Sequence, residues 1–109
     1  MKGKIILLPF PFTDLTSTKR RPALVLLERP HDVVVAFISS KITKSKELYQ
    51  ILIDKSDTDF PTTGLKISSS IYLDKIATIN KNLITGELGQ ISKALKRKIN
   101  KRIKKIYHL

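Results

Sequence analysis

Two short apolar runs near the start of the chain flank a polar loop, and this pattern constrains the fold more than any other feature. The runs are residues 4–10 and 23–27, and the loop ends in Arg20, Arg21 and Pro22. Because proline disfavours helical geometry in the residue before it, Arg21 is expected to be extended at the edge of the second strand. A guanidinium there offers planar, paired donors that match a phosphate. The segment therefore predicts a strand–loop–strand unit with a phosphate-facing arginine.

The length and the absence of cysteine narrow the class of protein. With 109 residues the chain is expected to form one domain, residues 1–109, with a modest core. No cysteine is present, which excludes a disulfide framework, a thiolate zinc site and a cysteine nucleophile. The first apolar run is short and interrupted by prolines, so it resembles neither a membrane span nor a signal peptide. A cytoplasmic protein without a membrane partner is expected.

The net charge of +12 favours an anionic partner. Residues 93–105 contain eight Lys or Arg and no acidic residue. The rest of the chain contains the other 13 of the 21 basic residues and all 9 acidic ones. Most of the excess charge lies near the C-terminus.

The same basic segment has a helical pattern of apolar residues. Their spacings of four, four, four and three predict a helix over residues 90–107 with one apolar face: Ile91, Leu95, Ile99, Ile103 and Ile106. The favoured interpretation is a helix that packs on the body of the protein and keeps a solvated lysine face. An RNA-contacting helix is the alternative. A membrane-surface helix is less favoured because the apolar face lacks Trp and Phe.

The remaining apolar runs predict strands. Residues 32–38, 49–53 and 71–79 are rich in β-branched side chains and are separated by turn-forming residues. Strands come first and one helix closes the chain. This order predicts an α+β, mostly β fold, a small curved antiparallel sheet or partly open barrel with a C-terminal helix.

One carboxylate stands out in the last predicted strand. Regular alternation over residues 71–79 would place Asp74 on a largely apolar face with Tyr72 and Ile76. An isolated buried charge is costly, so Asp74 would need an ion pair with a neighbouring strand or would have a catalytic role. Ser39 and Ser40 follow the end of another predicted strand, where side chains can reach a groove.

Other chemistries find little support in the sequence. The two histidines, His31 in a turn and His108 near the end, do not suggest a two-histidine ribonuclease. No Walker loop, zinc-ligand cluster or carboxylate set with magnesium-site spacing is present. No metal ion and no cofactor is therefore expected.

The chain resembles the MazF/PemK toxins of type II toxin–antitoxin systems. The resemblance is carried by the first hairpin (PFPFTDL, a short loop, KRRPALVL), by residues 35–39 (VAFIS), 69–80 (SSIYLDKIATIN) and 83–88 (LITGEL). It implies an SH3-like barrel with a C-terminal helix, assembled as a homodimer. It also implies metal-independent cleavage of single-stranded RNA to 2′,3′-cyclic phosphate and 5′-hydroxyl ends, restrained by an acidic antitoxin.

The resemblance assigns roles to three residues. The essential arginine of the family falls on Arg21, its catalytic threonine on Ser39 and the acidic residue of its late strand on Asp74. Arg21 would stabilise transition-state charge, Ser39 would bind a non-bridging oxygen, and Asp74 would act as base or orient Arg21. Some members carry an arginine where this chain has Tyr72, so the acid role of that arginine does not transfer.

Five further residues are expected to contact RNA: Lys19, Arg20, Ser40, Lys41 and Lys75. For Lys19 and Arg20 an equal alternative is that they are solvated charges of the loop and do not contact RNA. The function also has an alternative, a non-catalytic SH3-like module that binds nucleic acid or inhibits a protein target. A sister branch of this toxin fold acts on DNA gyrase in that way, so the fold alone does not decide between the two.

Overall fold

The computed structural model describes residues 1–9, 20–41 and 47–109. Two single-turn 3₁₀ helices lie at Phe60–Thr63 and Lys81–Leu83. The strands and the α-helix are, in chain order, β1 Lys4–Pro9, β2 Arg20–Glu28, β3 Asp32–Ser39, β4 Gln50–Ile53, β5 Ser69–Asn80, β6 Gly86–Gln90 and α1 Lys93–Ile106.

All six strands form one antiparallel sheet in the order β4-β5-β3-β2-β1-β6. The sheet curls into a half-barrel, and α1 packs against it, which confirms the predicted mostly β fold. The sequence did not predict β6, because its residues GELGQ lack β-branched side chains. This strand is held by pairing with β1.

The core consists of two apolar clusters on opposite faces of the sheet. Because side chains of a strand alternate, Ile5 of β1 packs in the cluster that α1 covers, and Ile6 packs in the other. Leu24 and Val25 of β2 divide in the same way. The sheet is therefore apolar on both sides over much of its length.

The predicted helix is confirmed, with slightly shorter bounds. It begins after Ser92, whose Oγ accepts a hydrogen bond from the backbone N–H of Leu95 at 3.1 Å. The predicted apolar stripe faces the sheet, with Ile99 only 3% exposed. None of the helices in the described parts of the chain combines the length and hydrophobicity needed to cross a membrane.

A three-residue bulge in β5 overturns the predicted alternation of residues 71–79. Phe37 of β3 pairs with Tyr72, but its neighbour Ala36 pairs with Ile76, so three residues of β5 have no counterpart in β3. Because three is an odd number, the residues after the bulge face the side of the sheet opposite to the one that regular alternation predicts. Leu73 accordingly packs under α1, whereas Ile79 packs on the opposite face. Asp74 lies in the bulge and is exposed, so the predicted placement on a buried apolar face was wrong.

Close backbone contacts join β6 to the segment that leads into β5. Gly64 follows the first 3₁₀ turn with φ of +72°, a conformation that suits glycine. Gly89 of β6 lies against the same turn, and a Cβ atom there would come within 2.2 Å of the carbonyl oxygen of Thr62. This contact tolerates no side chain without a shift of the backbone.

We expect Gly89→Ala to lower the free energy of unfolding by about 2 kcal/mol or more, because overpacking against fixed backbone strains the fold. Gly86→Ala in the same strand is the matched control. Its Cβ would lie 3.5 Å from the nearest atom, the Leu7 Cδ1, so a change within about 0.5 kcal/mol is expected. Urea unfolding followed by circular dichroism measures both. Equal stability of the two variants would contradict the close contact.

Candidate active site

Arg21 and Ser39 lie at neighbouring ends of β2 and β3. The ladder between these strands ends at the pair Ala23–Phe37. Pro22 has no N–H to extend it, which is why the pairing stops there. The next residues of the same parity are Arg21 and Ser39, both half-buried, so strand alternation assigns them to one face of the sheet.

The peptide of Lys41 is held from both sides by candidate site residues. Its backbone N–H donates to the Ser39 Oγ at 3.1 Å, and its carbonyl oxygen accepts from the Tyr72 hydroxyl at 3.3 Å. These two bonds order the turn that follows β3. An accepting hydroxyl keeps its own hydrogen for donation, so Ser39 can still bind an anionic oxygen.

The bulge of β5 places Lys75 and Asp74 beside this turn. The Lys75 Nζ lies 4.7 Å from the centre of the Tyr72 ring, within the range of a cation–π contact. Asp74 forms no ion pair with any residue that the structure describes. Burial of the phenol raises the pKa of Tyr49, and the negative charges of Glu47 and Asp74 raise this pKa further. The backbone N–H of Leu73 donates to the carbonyl oxygen of Tyr49 at 2.7 Å, so the adjacent Asp74 lies close to the start of β4.

A cavity of about 410 Å³ opens at the same strand ends, on the side where Ile38 of β3 lies. Arg20, Arg21 and Ser40 contribute to its walls together with Lys66, a residue that the sequence reasoning missed. Its apolar walls are Leu7, Pro22, Ile38, Leu65, Ile67 and Leu88. No local sequence pattern identifies Lys66 as a site residue. It joins the site only because the segment before β5 folds back over the ends of β2 and β3.

The structure thus places the predicted residues in two adjoining groups. Arg20 and Ser40 line the cavity, and Arg21, which strand alternation assigns to the face of Ser39, borders it as well. Tyr72 joins Lys41 to the β5 bulge, which carries the predicted residues Asp74 and Lys75. Lys19 lies outside the described residues. Within the described part of the chain, no three His, Cys, Asp or Glu side chains gather in a way that could hold a metal ion.

We expect Asp74→Asn to lower the pKa of Tyr49 while leaving it above the ordinary tyrosine value. The substitution removes one negative charge that disfavours the phenolate, whereas the burial and Glu47 remain. Tyrosine ring NMR signals, assigned with Tyr→Phe variants, give the titration curve. An unchanged pKa of Tyr49 would place Asp74 elsewhere than beside β4.

Comparisons with known proteins agree with this architecture. The family model described as PemK-like, MazF-like toxin of type II toxin-antitoxin system matches residues 1–107. A search of curated proteins finds no match.

Three solved structures of similar fold come from mycobacteria. An endoribonuclease in complex with its cognate antitoxin, from a mycobacterial species, is 21% identical with a TM-score of 0.72, over 100% of this chain and 95% of that chain. The Mycobacterium tuberculosis toxin MazF-mt6 is 18% identical with a TM-score of 0.74, over 97% of both chains. Another mycobacterial endoribonuclease is 21% identical with a TM-score of 0.71, over 100% of this chain and 91% of that one.

With the family model covering all but the last two residues, the chain belongs to the PemK-like, MazF-like toxins of type II toxin–antitoxin systems.

Proposed function

We propose that this toxin is an endoribonuclease that cleaves single-stranded RNA without a metal ion. The observation that carries the proposal is the placement of Arg21 and Ser39 at adjacent strand ends, with the Ser39 oxygen held by the Lys41 backbone. The endoribonucleases among the structures of similar fold support it. The net charge of +12 suits an RNA substrate.

The reaction uses the nucleophile that RNA itself carries. The 2′-oxygen attacks the adjacent phosphorus as its proton passes to a base, and the bond from phosphorus to the 5′-oxygen breaks as that oxygen gains a proton. The products are a 2′,3′-cyclic phosphate and a 5′-hydroxyl. The protein has to position the phosphate, stabilise the added negative charge and move two protons.

Arg21 supplies the charge stabilisation. Its guanidinium stays protonated at any working pH and offers paired donors to the non-bridging oxygens. In a half-buried position these donors act in a lower dielectric than bulk water, which strengthens their effect on the transition state. Ser39 donates its hydroxyl hydrogen to a non-bridging oxygen of the same phosphate.

Asp74 is the proposed proton acceptor, or the group that orients Arg21. It lies two residues beyond Tyr72, which bonds the Lys41 peptide, so the bulge brings it to the edge of the same site. Its exposure keeps the carboxylate hydrated and accessible to substrate. Arg20, Ser40, Lys41 and Lys75 would contact the RNA on either side of the cleaved bond, and Lys19 is proposed to do the same.

The partners follow from the family and the charge. We propose that the toxin is a cytoplasmic homodimer restrained by an acidic antitoxin that complements its basic surface. The mycobacterial endoribonuclease described above forms a complex with its cognate antitoxin.

We expect Arg21→Ala to reduce RNA cleavage in the presence of a chelator by about 10²- to 10³-fold, because one preorganised donor to the transition state is lost. Ser39→Ala should also reduce the rate, and Ser39→Thr should restore it because the hydroxyl is kept. Gel analysis of a diverse RNA pool gives the rates.

Arg29→Ala is the matched control, since Arg29 is an exposed arginine just beyond the far end of β2. It should cleave at nearly the rate of the unsubstituted protein. Cleavage that survives Arg21→Ala in a folded variant would move the active site elsewhere. The absence of any cleavage across the pool would refute the proposed activity.

A further inference from the structure

One face of α1 forms a basic surface beside β4, the edge strand of the sheet. We propose that this face, formed by Lys101, Arg102 and Lys105, binds single-stranded RNA that extends beyond the cleavage site. The inference rests on the proposed function and adds a docking surface outside the reacting centre. We call it the helix track.

The contacts of Arg102 orient the helix track toward β4, the edge strand of the sheet. The Arg102 Nη1 donates to the carbonyl oxygen of Leu48, just before β4, at 2.9 Å. Lys105 lies three residues after Arg102 and four after Lys101, so the three side chains are neighbours on one side of the helix. Both lysines are exposed. Lys98 marks the limit of the track, because it shares a cavity with Asp57 and Asp59.

The end of the helix is joined to the same segment of β5 that forms the candidate site. The Tyr107 hydroxyl donates to the carbonyl oxygen of Leu73. The next residue back, Tyr72, bonds the Lys41 peptide and contacts Lys75 through its ring. Neighbouring residues of β5 thus contact the end of α1 and the candidate site from the two faces of the sheet, and an RNA strand leaving the site would cross the edge at β4 to reach α1.

The composition of the combined surface suits a single strand of nucleic acid. Lys41, Lys75 and the three cations of the helix track outnumber the two carboxylates beside them, Glu47 and Asp74. Two tyrosine rings accompany these cations: Tyr72, which is half-buried and contacts Lys75, and Tyr107, which is 49% exposed. Phosphates need the cations and unpaired bases need the aromatic planes.

Two other partners fit less well. A bilayer would require the apolar face of α1, but that face is buried against the sheet, with Ile99 only 3% exposed. An acidic polypeptide would use the lysines but not the aromatic rings. The observations therefore favour RNA.

The test measures binding of 2′-O-methyl RNA, which lacks the nucleophilic hydroxyl, by fluorescence anisotropy at several salt concentrations. Two lengths are compared, about 6 and about 20 nucleotides, which bracket common single-strand site sizes. The double variant Lys101→Gln with Lys105→Gln should bind the long RNA about 10-fold more weakly. The slope of log affinity against log salt should fall by about 1.4, the value for two phosphate contacts on a single strand. Affinity for the short RNA should not change.

The matched control is Lys93→Gln with Lys96→Gln. It removes two charges one turn apart from the other flank of the helix, where Lys96 lies beside Gly3, with little difference in helix propensity. The control should bind both RNAs like the unsubstituted protein. Equal weakening by the two double variants would overturn the helix track in favour of diffuse attraction, and no weakening would also overturn it.

A further arm separates RNA from an acidic partner. Polyglutamate that binds as tightly as the long RNA, and loses affinity in the same double variant, would overturn the RNA assignment. Because 2′-O-methyl RNA is not cut, the outcome is independent of catalysis. If the protein cleaves RNA but the double variant binds long RNA normally, only the helix track is refuted. If the double variant binds long RNA more weakly but the protein cleaves no RNA, only the nuclease activity is refuted.

Discussion

The packing of the apolar stripe of α1 on the curled sheet is the interaction on which the rest of the structure depends. The stripe enters the same cluster as Ile5, Leu24 and Leu73, so it joins the first, second and fifth strands through one core. Burial of each large aliphatic side chain contributes about 1.5–3 kcal/mol, which makes this face a major source of stability. It also directs every lysine of the helix outward. Charge and core are thereby separated within a single element.

The bulge in β5 connects this core to the site. If β5 continued with a regular alternation, Leu73 and Ile79 would face the same side, and the cluster opposite α1 would lose an apolar residue. The three extra residues let Leu73 pack under the helix while Tyr72 reaches the turn after β3. Asp74 is then left to solvent. One irregularity thus serves packing, orders the Lys41 peptide and places a carboxylate at the edge of the site.

Much of the fold is visible in the sequence, because hydrophobic periodicity is a local signal. The β-branched runs predicted the positions of five strands, and the isoleucine spacing predicted α1. The sixth strand and the bulge escaped prediction for the same reason: pairing with a distant strand determines both, and GELGQ and LDK carry no local mark of it. The predicted face of Asp74 failed with the bulge.

The sequence likewise indicated some residues of the candidate site and not others. Arg21 was indicated by the Arg-Pro step and, with Ser39, by the family resemblance, and the register of β2 and β3 then assigned both to one face. The roles of Lys66 and Tyr72 depend on contacts between segments far apart in the chain, so no local pattern could indicate them. The helix track is an intermediate case: the sequence shows its charge, whereas only the contact of Arg102 shows which face lies beside β4.

The chemistry of the cut ends shows whether this toxin cleaves RNA through the RNA's own 2′-hydroxyl, as we propose. A pool of single-stranded RNA and its 2′-O-methyl counterpart would each be incubated with the protein in chelator, and the products analysed by mass spectrometry. We expect 2′,3′-cyclic phosphate and 5′-hydroxyl ends from the RNA and no cleavage of the 2′-O-methyl pool. Products with 5′-phosphate ends, or cleavage of the 2′-O-methyl pool, would contradict it.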